Sequence, residues 1–132
     1  MKYFKMKEFE CRDGCAMPAS ARENIEALVE EVLDPVREAF GGPVAVNSGY
    51  RCPRHNAAVG GVRNSQHLVG EAADIRPVGL PFTAYGSQGL ERLKELIIAN
   101  GRFDQMIVYP TFVHVSWKRV GKNRKQIIYK HF

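Results

Sequence analysis

His67 and Asp74 stand seven residues apart in Ser65-Gln-His-Leu-Val-Gly-Glu-Ala-Ala-Asp74, with Gly70 and two alanines between them. An imidazole and a carboxylate are both good zinc ligands, and the pair makes half of a tetrahedral site. A third candidate is His114, in Phe-Val-His-Val-Ser-Trp. Its flanking valines predict a strand, whose period of two turns Val113 and Val115 one way and His114 the other. Three protein ligands of this kind leave zinc one open position for water, the mark of a catalytic rather than a structural site.

The pattern Ser65-x-His67-x-x-Gly70-x-Ala72-x-Asp74, followed about forty residues later by Val113-His114-Val115, resembles the signature of the zinc D-alanyl-D-alanine peptidases. That family takes in bacterial carboxypeptidases and dipeptidases, and phage endolysins that cut the peptide stem of peptidoglycan. The hedgehog signalling domain carries a related zinc site. The likeness extends through Ser48-Gly-Tyr-Arg-Cys-Pro53, Asn56 and Val59-Gly-Gly-Val62, and on to Phe103-Asp-Gln105, so it spans most of the chain from about Phe9 to Trp117.

The resemblance implies Zn2+ held by His67, Asp74 and His114, and hydrolysis of peptide bonds in peptidoglycan stem peptides by metal-activated water. The enzyme would be a D,D-carboxypeptidase or an endolysin-like endopeptidase. Arg51 takes a substrate-facing role, since a guanidinium can hold a peptide carboxylate bidentately or polarise the scissile carbonyl. Ser65 lies near bound substrate in the family, and here it serves equally well as a loop-capping hydroxyl.

The general base departs from the pattern. Many members supply a Glu, Asp or His a few residues before the last ligand, where this chain reads Tyr109-Pro-Thr-Phe-Val113. The candidates are Asp104, from its Phe-Asp-Gln context, and His131 or His55 if the fold brings either near. Tyr109 can donate to an oxyanion but is a poor base, because its unperturbed pKa is about 10. Asp104 has a second reading, as a carboxylate that orients a ligand histidine. Without a competent base the chain would be a non-catalytic zinc-containing domain that binds or regulates the cell wall. A structural Asp–His pair without metal is the plainest alternative, and the third histidine weighs against it.

At 132 residues, 45% apolar and 25% charged, the chain reads as one globular domain, residues 1–132, able to bury about two-thirds of its unfolded surface. No apolar run approaches the 18 or so residues that span a bilayer. The N-terminus is basic with no apolar stretch behind it, so the expectation is a protein made in the cytoplasm without a signal peptide. It would reach the wall by another route, as phage endolysins do through holins. A lone catalytic domain, acting as a monomer, is the expected form.

The net charge of +5 is a modest excess, explained as well by solubility as by attraction to wall polymer or nucleic acid. Much of it lies in Lys118, Arg119, Lys122, Arg124 and Lys125, with no nucleic-acid motif beside them, so nucleic acid is not an expected partner. Three cysteines leave at least one unpaired, and a cytoplasmic origin argues against a disulfide framework. Cys11 and Cys15 can pair or bind metal, but without a second close pair a zinc ribbon is not expected. Cys52 reads as a small buried apolar residue.

The elements that must position these residues follow from pattern. A short strand is expected around Tyr3 to Phe9, then a loop through Cys11 to Cys15. Ser20-Ala-Arg-Glu23 has the form of a capping box, and Ile25, Leu28, Val29, Val32, Leu33 and Val36 follow at helical spacing, with Pro35 expected to kink the helix or begin its last turn. Strands are expected over Val44–Asn47, Ala72–Ile75, Phe103–Tyr109, Phe112–Trp117 and Gln126–His131. A single helical turn is expected over Pro53–Ala58, a loop over Arg76–Gly86, and a second main helix from Ser87 to Asn100. A hairpin turn over Lys118–Lys125 would join the last two strands. The fold class is α+β: two main helices on a small, mainly antiparallel sheet, of the hedgehog and D-Ala-D-Ala-peptidase kind.

Overall fold

The computed structural model describes residues 1–78 and 87–130. The apolar stripe of the first helix is buried as its spacing requires, with Ile25, Leu28, Val29, Val32, Leu33 and Val36 all in the core. That helical stretch has three segments: α1 (Ala19–Leu28), a π-helical turn (Val29–Leu33) and α2 (Asp34–Phe40). Pro35 has no N–H to donate back along the helix, and the wider π turn just before it lets the chain continue without a break. Gly41, at φ +78°, ends α2 in the left-handed conformation. The start differs from the capping box expected at Ser20. Pro18 holds the cap position at φ −61° with no side-chain cap bond, so the helix begins at Ala19.

The sheet has five strands: β1 (Val44–Ser48), β2 (Ala72–Pro77), β3 (Gln105–Val108), β4 (Val113–Ser116) and β5 (Gln126–Tyr129), in the order β1-β2-β4-β3-β5. The first three pairings are antiparallel, but β5 runs parallel to β3, so the sheet is mixed. This corrects the expected hairpin between the last two strands. Both edges of β4 are already taken, by β2 and β3, so the returning chain pairs with the outer edge of β3 instead. The Asn123 side chain closes the intervening turn on the Lys118 backbone, donating 3.1 Å to its carbonyl and accepting at 2.8 Å from its N–H. β5 then starts level with β3, Gln126 opposite Gln105.

The N-terminal strand expected around Tyr3 to Phe9 is instead a 3-10 turn at Met6–Phe9. Glu8 accepts from the Lys5 N–H at 2.8 Å while its own N–H reaches the Lys5 carbonyl at 3.0 Å. This local closure competes successfully with a strand ladder. Phe9 at the end of the turn is fully buried.

α1, α2 and α4 (Ser87–Asn100) enclose the core with one face of the sheet. Val113, Val115, Ala73, Ile75 and Met106 point into it, while Leu93 and Ile97 close it from α4. The alternate residues of the same strands face the other way, and the functional groups are there. α3 (Pro53–Ala58) and a 3-10 turn (Gln66–Val69) lie on that side.

The cysteines depart from expectation. Cys15 and Cys52 form a disulfide across 37 residues of sequence, with Cα atoms 6.3 Å apart, and Cys11 is buried beside them. The third thiol arrives from the far side of β1, where spacing gives no hint of it.

Gly70 ends the 3-10 turn at φ +76°, and a Cβ there would lie 2.3 Å from the Ala21 carbonyl oxygen of α1. Neither backbone can yield. Gly70→Ala is expected to destabilise the fold by about 2–4 kcal/mol, read from the midpoint of urea unfolding; a loss below about 1 kcal/mol would show that the turn and α1 are not locked together.

Candidate metal centre

Asp74 and His114 are direct cross-strand partners, β2 to β4, so their side chains rise from the same face of the sheet. A β-bulge between Val46 and Ser48 adds a residue to β1 and brings Ser48 opposite Asp74 in the same row. His67 comes from the 3-10 turn. Ser65 Oγ accepts from the His67 N–H at 3.1 Å and caps that turn, and the left-handed Gly70 ends it. Asp74 Oδ1 lies 3.1 Å from His67 Nε2 and 3.0 Å from His114 Nδ1. All three residues are buried at the base of an open cleft of about 390 Å³.

These residues fit a metal ion on chemical grounds. His67 Nδ1 is 2.7 Å from the Gly49 carbonyl oxygen, which can only accept, so Nδ1 carries the ring proton. In the neutral ring Nε2 then presents its lone pair to a carboxylate oxygen at 3.1 Å. Two acceptors that close call for a cation between them, either a proton or a metal ion. Ligand bonds of about 2.0 Å in a tetrahedron set N···O edges of about 3.3 Å, near the observed spacings. Burial alone would raise the Asp74 pKa, but the hydrogen bonds and charges of His114 and His67 outweigh it and hold the carboxyl far below its usual range. Burial also lowers the His114 pKa, which favours the neutral, ligating ring even though Asp74 opposes the shift.

Arg51 joins these three in space. Its Nη2 donates to Asp74 Oδ2 at 3.2 Å, its Nε to Ser48 Oγ at 3.0 Å, and its Nη1 to Asn56 Oδ1 at 3.3 Å. Asn56 is itself tied to the Val62 carbonyl at 2.8 Å. The guanidinium is thus fixed at the wall of the cleft, with Tyr109 on the same wall.

Asp104 is placed elsewhere. It is fully buried, and its carboxylate accepts from Arg124 Nε at 3.1 Å, Arg124 Nη2 at 2.8 Å, the Arg124 backbone N–H at 2.9 Å and Gln66 Nε2 at 3.2 Å. Lys118 Nζ stands 3.6 Å away. Burial would raise its pKa, but the Arg124 hydrogen bonds and charge, with Lys118 behind them, bring it down to about 2. Arg124 and Gln66 line the cleft, as does Lys130. Sequence reasoning missed this basic rim, because Arg124 and Lys130 reach the cleft only through the parallel pairing of β5. His55 sits on α3 and is not among the cleft residues. His131 lies outside the described residues.

A buried His–Asp–His group with a fixed tautomer, open on one side to a cleft with an arginine wall, defines a metallopeptidase-type centre. A family model described as Peptidase M15 matches residues 2–116, and the chain belongs to that family of zinc peptidases. Over 63 residues it is also 40% identical to a zinc D-Ala-D-Ala carboxypeptidase of Streptomyces albus G, a stretch covering 47% of this chain and 24% of that protein. The chain therefore aligns with about a quarter of that relative's length.

The Asp104–Arg124 pairing predicts a specific acid limb. A carboxyl whose folded pKa lies below its unfolded value stabilises fully above the unfolded pKa, and that stability is lost as pH falls through the folded one. From about 3.8 to about 2, the contribution is roughly 2 kcal/mol. Asp104→Asn should be less stable than the parent by roughly that amount at pH 7, and the gap should close between about pH 5 and pH 2. A gap independent of pH, in urea unfolding at several pH values, would remove the ion pair as its cause.

Proposed function

We propose that the protein is a zinc metallopeptidase that hydrolyses peptide bonds in peptidoglycan stem peptides, acting at the cell wall as a D,D-carboxypeptidase or an endolysin-like endopeptidase. The observation that carries this reading is the convergence of His67, Asp74 and His114 on one point at the base of a cleft that Arg51 overlooks. The name of the Streptomyces relative supports the D-Ala-D-Ala bond as the first substrate to try.

A zinc ion on these three ligands would supply Lewis acidity, which acidifies water towards neutral pH and polarises a peptide carbonyl. The chain's own groups do the remainder. Asp74 supplies the negative charge that the centre needs, and Gly49 holds His67 in the ligating tautomer through Nδ1. Among the described residues, three of the five Arg51 N–H groups are engaged with protein, leaving two to meet a substrate carboxylate or a developing oxyanion. Burial raises the Tyr109 pKa and the Asp74 charge adds to it, so this phenol stays protonated at neutral pH and serves as a donor. Arg124 and Lys130 at the rim attract the acidic groups of a stem peptide.

One observation favours a second reading, a wall-binding or regulatory domain without turnover. Among the described residues, no carboxylate or imidazole other than the three ligands lines the cleft. Asp104, with a pKa brought to about 2 by its cations, is a weak proton acceptor and acts through Arg124 and Gln66 as a positioning residue.

Defined muropeptides incubated with zinc-loaded protein, and analysed by mass spectrometry, test the proposal. Loss of a terminal D-Ala identifies a carboxypeptidase, and internal cleavage of the stem identifies an endopeptidase. His67→Ala should lose zinc and turnover together, and Arg51→Ala should lower kcat/KM by about 10²–10³ with zinc retained. Intact substrates in the presence of one zinc per chain would hand the case to the binding-domain reading.

A further inference from the structure

Three sulfurs and a carboxylate that the centre above does not use meet around Cys52, the residue after Arg51. Cys11 and Cys15 flank Asp13 in one loop, and Cys52 follows Arg51 directly. Their ligand-type atoms all lie within 4.8 Å of one another. A disulfide between Cys15 and Cys52 explains two of the four groups. It leaves the buried Cys11 thiol 3.8 Å from Cys52 Sγ and 3.1 Å from Asp13 Oδ1.

We propose that, when this disulfide is reduced, Cys11, Cys15, Cys52 and Asp13 form a second, closed zinc site. Geometry carries the inference. Zinc–sulfur bonds of about 2.3 Å in a tetrahedron give S···S edges of about 3.8 Å, and with oxygen at about 2.0 Å the S···O edges are about 3.5 Å. Cys11 and Cys52 are separated by 3.8 Å, and Cys52 Sγ stands 3.6 Å from Asp13 Oδ1.

The loop is preshaped for this. Gly14, at φ +86°, turns the chain so that its N–H meets the Cys11 carbonyl at 3.1 Å and Cys15 returns towards Cys11. The Cys52 N–H points at Cys11 Sγ at 3.5 Å, and Arg54 reaches both Asp13 Oδ2 at 3.2 Å and Cys15 Sγ at 3.4 Å. Three thiolates and a carboxylate exceed the charge of one divalent ion by two, and the Arg54 guanidinium and the Cys52 N–H offset part of that excess.

The oxidised and metal-bound forms exclude each other. A dithiol reductant delivers two electrons and two protons to the Cys15–Cys52 bond, giving two thiols. The three thiols then release their protons as the ion binds. With four protein ligands and no open position the site is structural. It clips residues 11–15 to the segment that presents Arg51.

Cobalt titration of the full chain under anaerobic conditions, with a phosphine reductant, tests this. The wild type should take up two Co2+ per chain and develop the near-ultraviolet thiolate-to-cobalt band, and the unreduced protein should lack that band. His67→Ala should keep the band with one equivalent. Cys11→Ser should lose the band and keep one weakly coloured equivalent, its folding checked by circular dichroism. Asp13→Asn should weaken the second equivalent by about tenfold or more. A single equivalent without a thiolate band in the reduced wild type, or loss of the band in His67→Ala, would overturn the second site. Failure of the His–Asp–His centre would show separately, as a thiolate band with no second equivalent.

Discussion

The Asp74 carboxylate is the charge that the rest of the molecule is arranged to hold. Burying an anion is expensive unless cations and hydrogen bonds meet every lone pair. Here Oδ1 faces two imidazoles and Oδ2 faces Arg51, so both oxygens are engaged by groups drawn from three different parts of the chain. The register of β2 against β4 brings His114, and the bulge in β1 brings the Ser48 hydroxyl that steadies Arg51. Of the three candidate ligands it is His67 that comes from outside the sheet row, carried in on a turn that Ser65 begins and Gly70 ends. A one-residue slip of β2 on β4 would send His114 and Asp74 to opposite faces.

The part of this that sequence reveals is the part set by short-range rules. Val113 and Val115 on either side of His114 reveal a strand with one apolar face, and the face is the core one. The helical stripe from Ile25 to Val36 is equally plain. The candidate metal-binding group is legible because it rests on residue type and spacing, which the Ser65–Asp74 stretch displays in ten residues. What is not legible depends on which strand edges remain open after the others have paired. The parallel placement of β5 is of this kind, and it decides that Arg124 and Lys130 belong to the cleft. The convergence of Cys11, Cys15 and Cys52 is another, since Cys52 lies 37 residues beyond its partner. At the N-terminal turn and the start of α1, local bonds and a proline overrode signals read from residue preference alone.

Asp104 shows how the same residue type takes different work from its surroundings. Both aspartates are buried and both pKa values are lowered, but by different partners. Asp74 faces imidazoles, which can exchange a proton for a metal ion, so its field favours a cation at the cleft floor. Asp104 faces cationic hydrogen-bond donors from Arg124 with Lys118 nearby, so its field is closed upon itself and serves to hold Arg124 and Gln66 at the cleft wall.

Arg51 and His67 are bound together more tightly than their distance in sequence suggests. The Arg51 N–H donates to the His67 carbonyl at 3.0 Å, the Gly49 carbonyl accepts from the His67 ring, and the Tyr50 N–H reaches Phe9 at 2.8 Å. Gly49 must be glycine, because a Cβ would stand 2.6 Å from the Phe9 Cα. Residues 49–51 are therefore pressed between the N-terminal arm and the turn that carries His67, with the cysteine group closing the next position. Backbone hydrogen bonds thus connect the arm to the contact that sets the tautomer of a candidate metal ligand. The arm contributes no side chain to the cleft, yet the geometry of the centre rests on it.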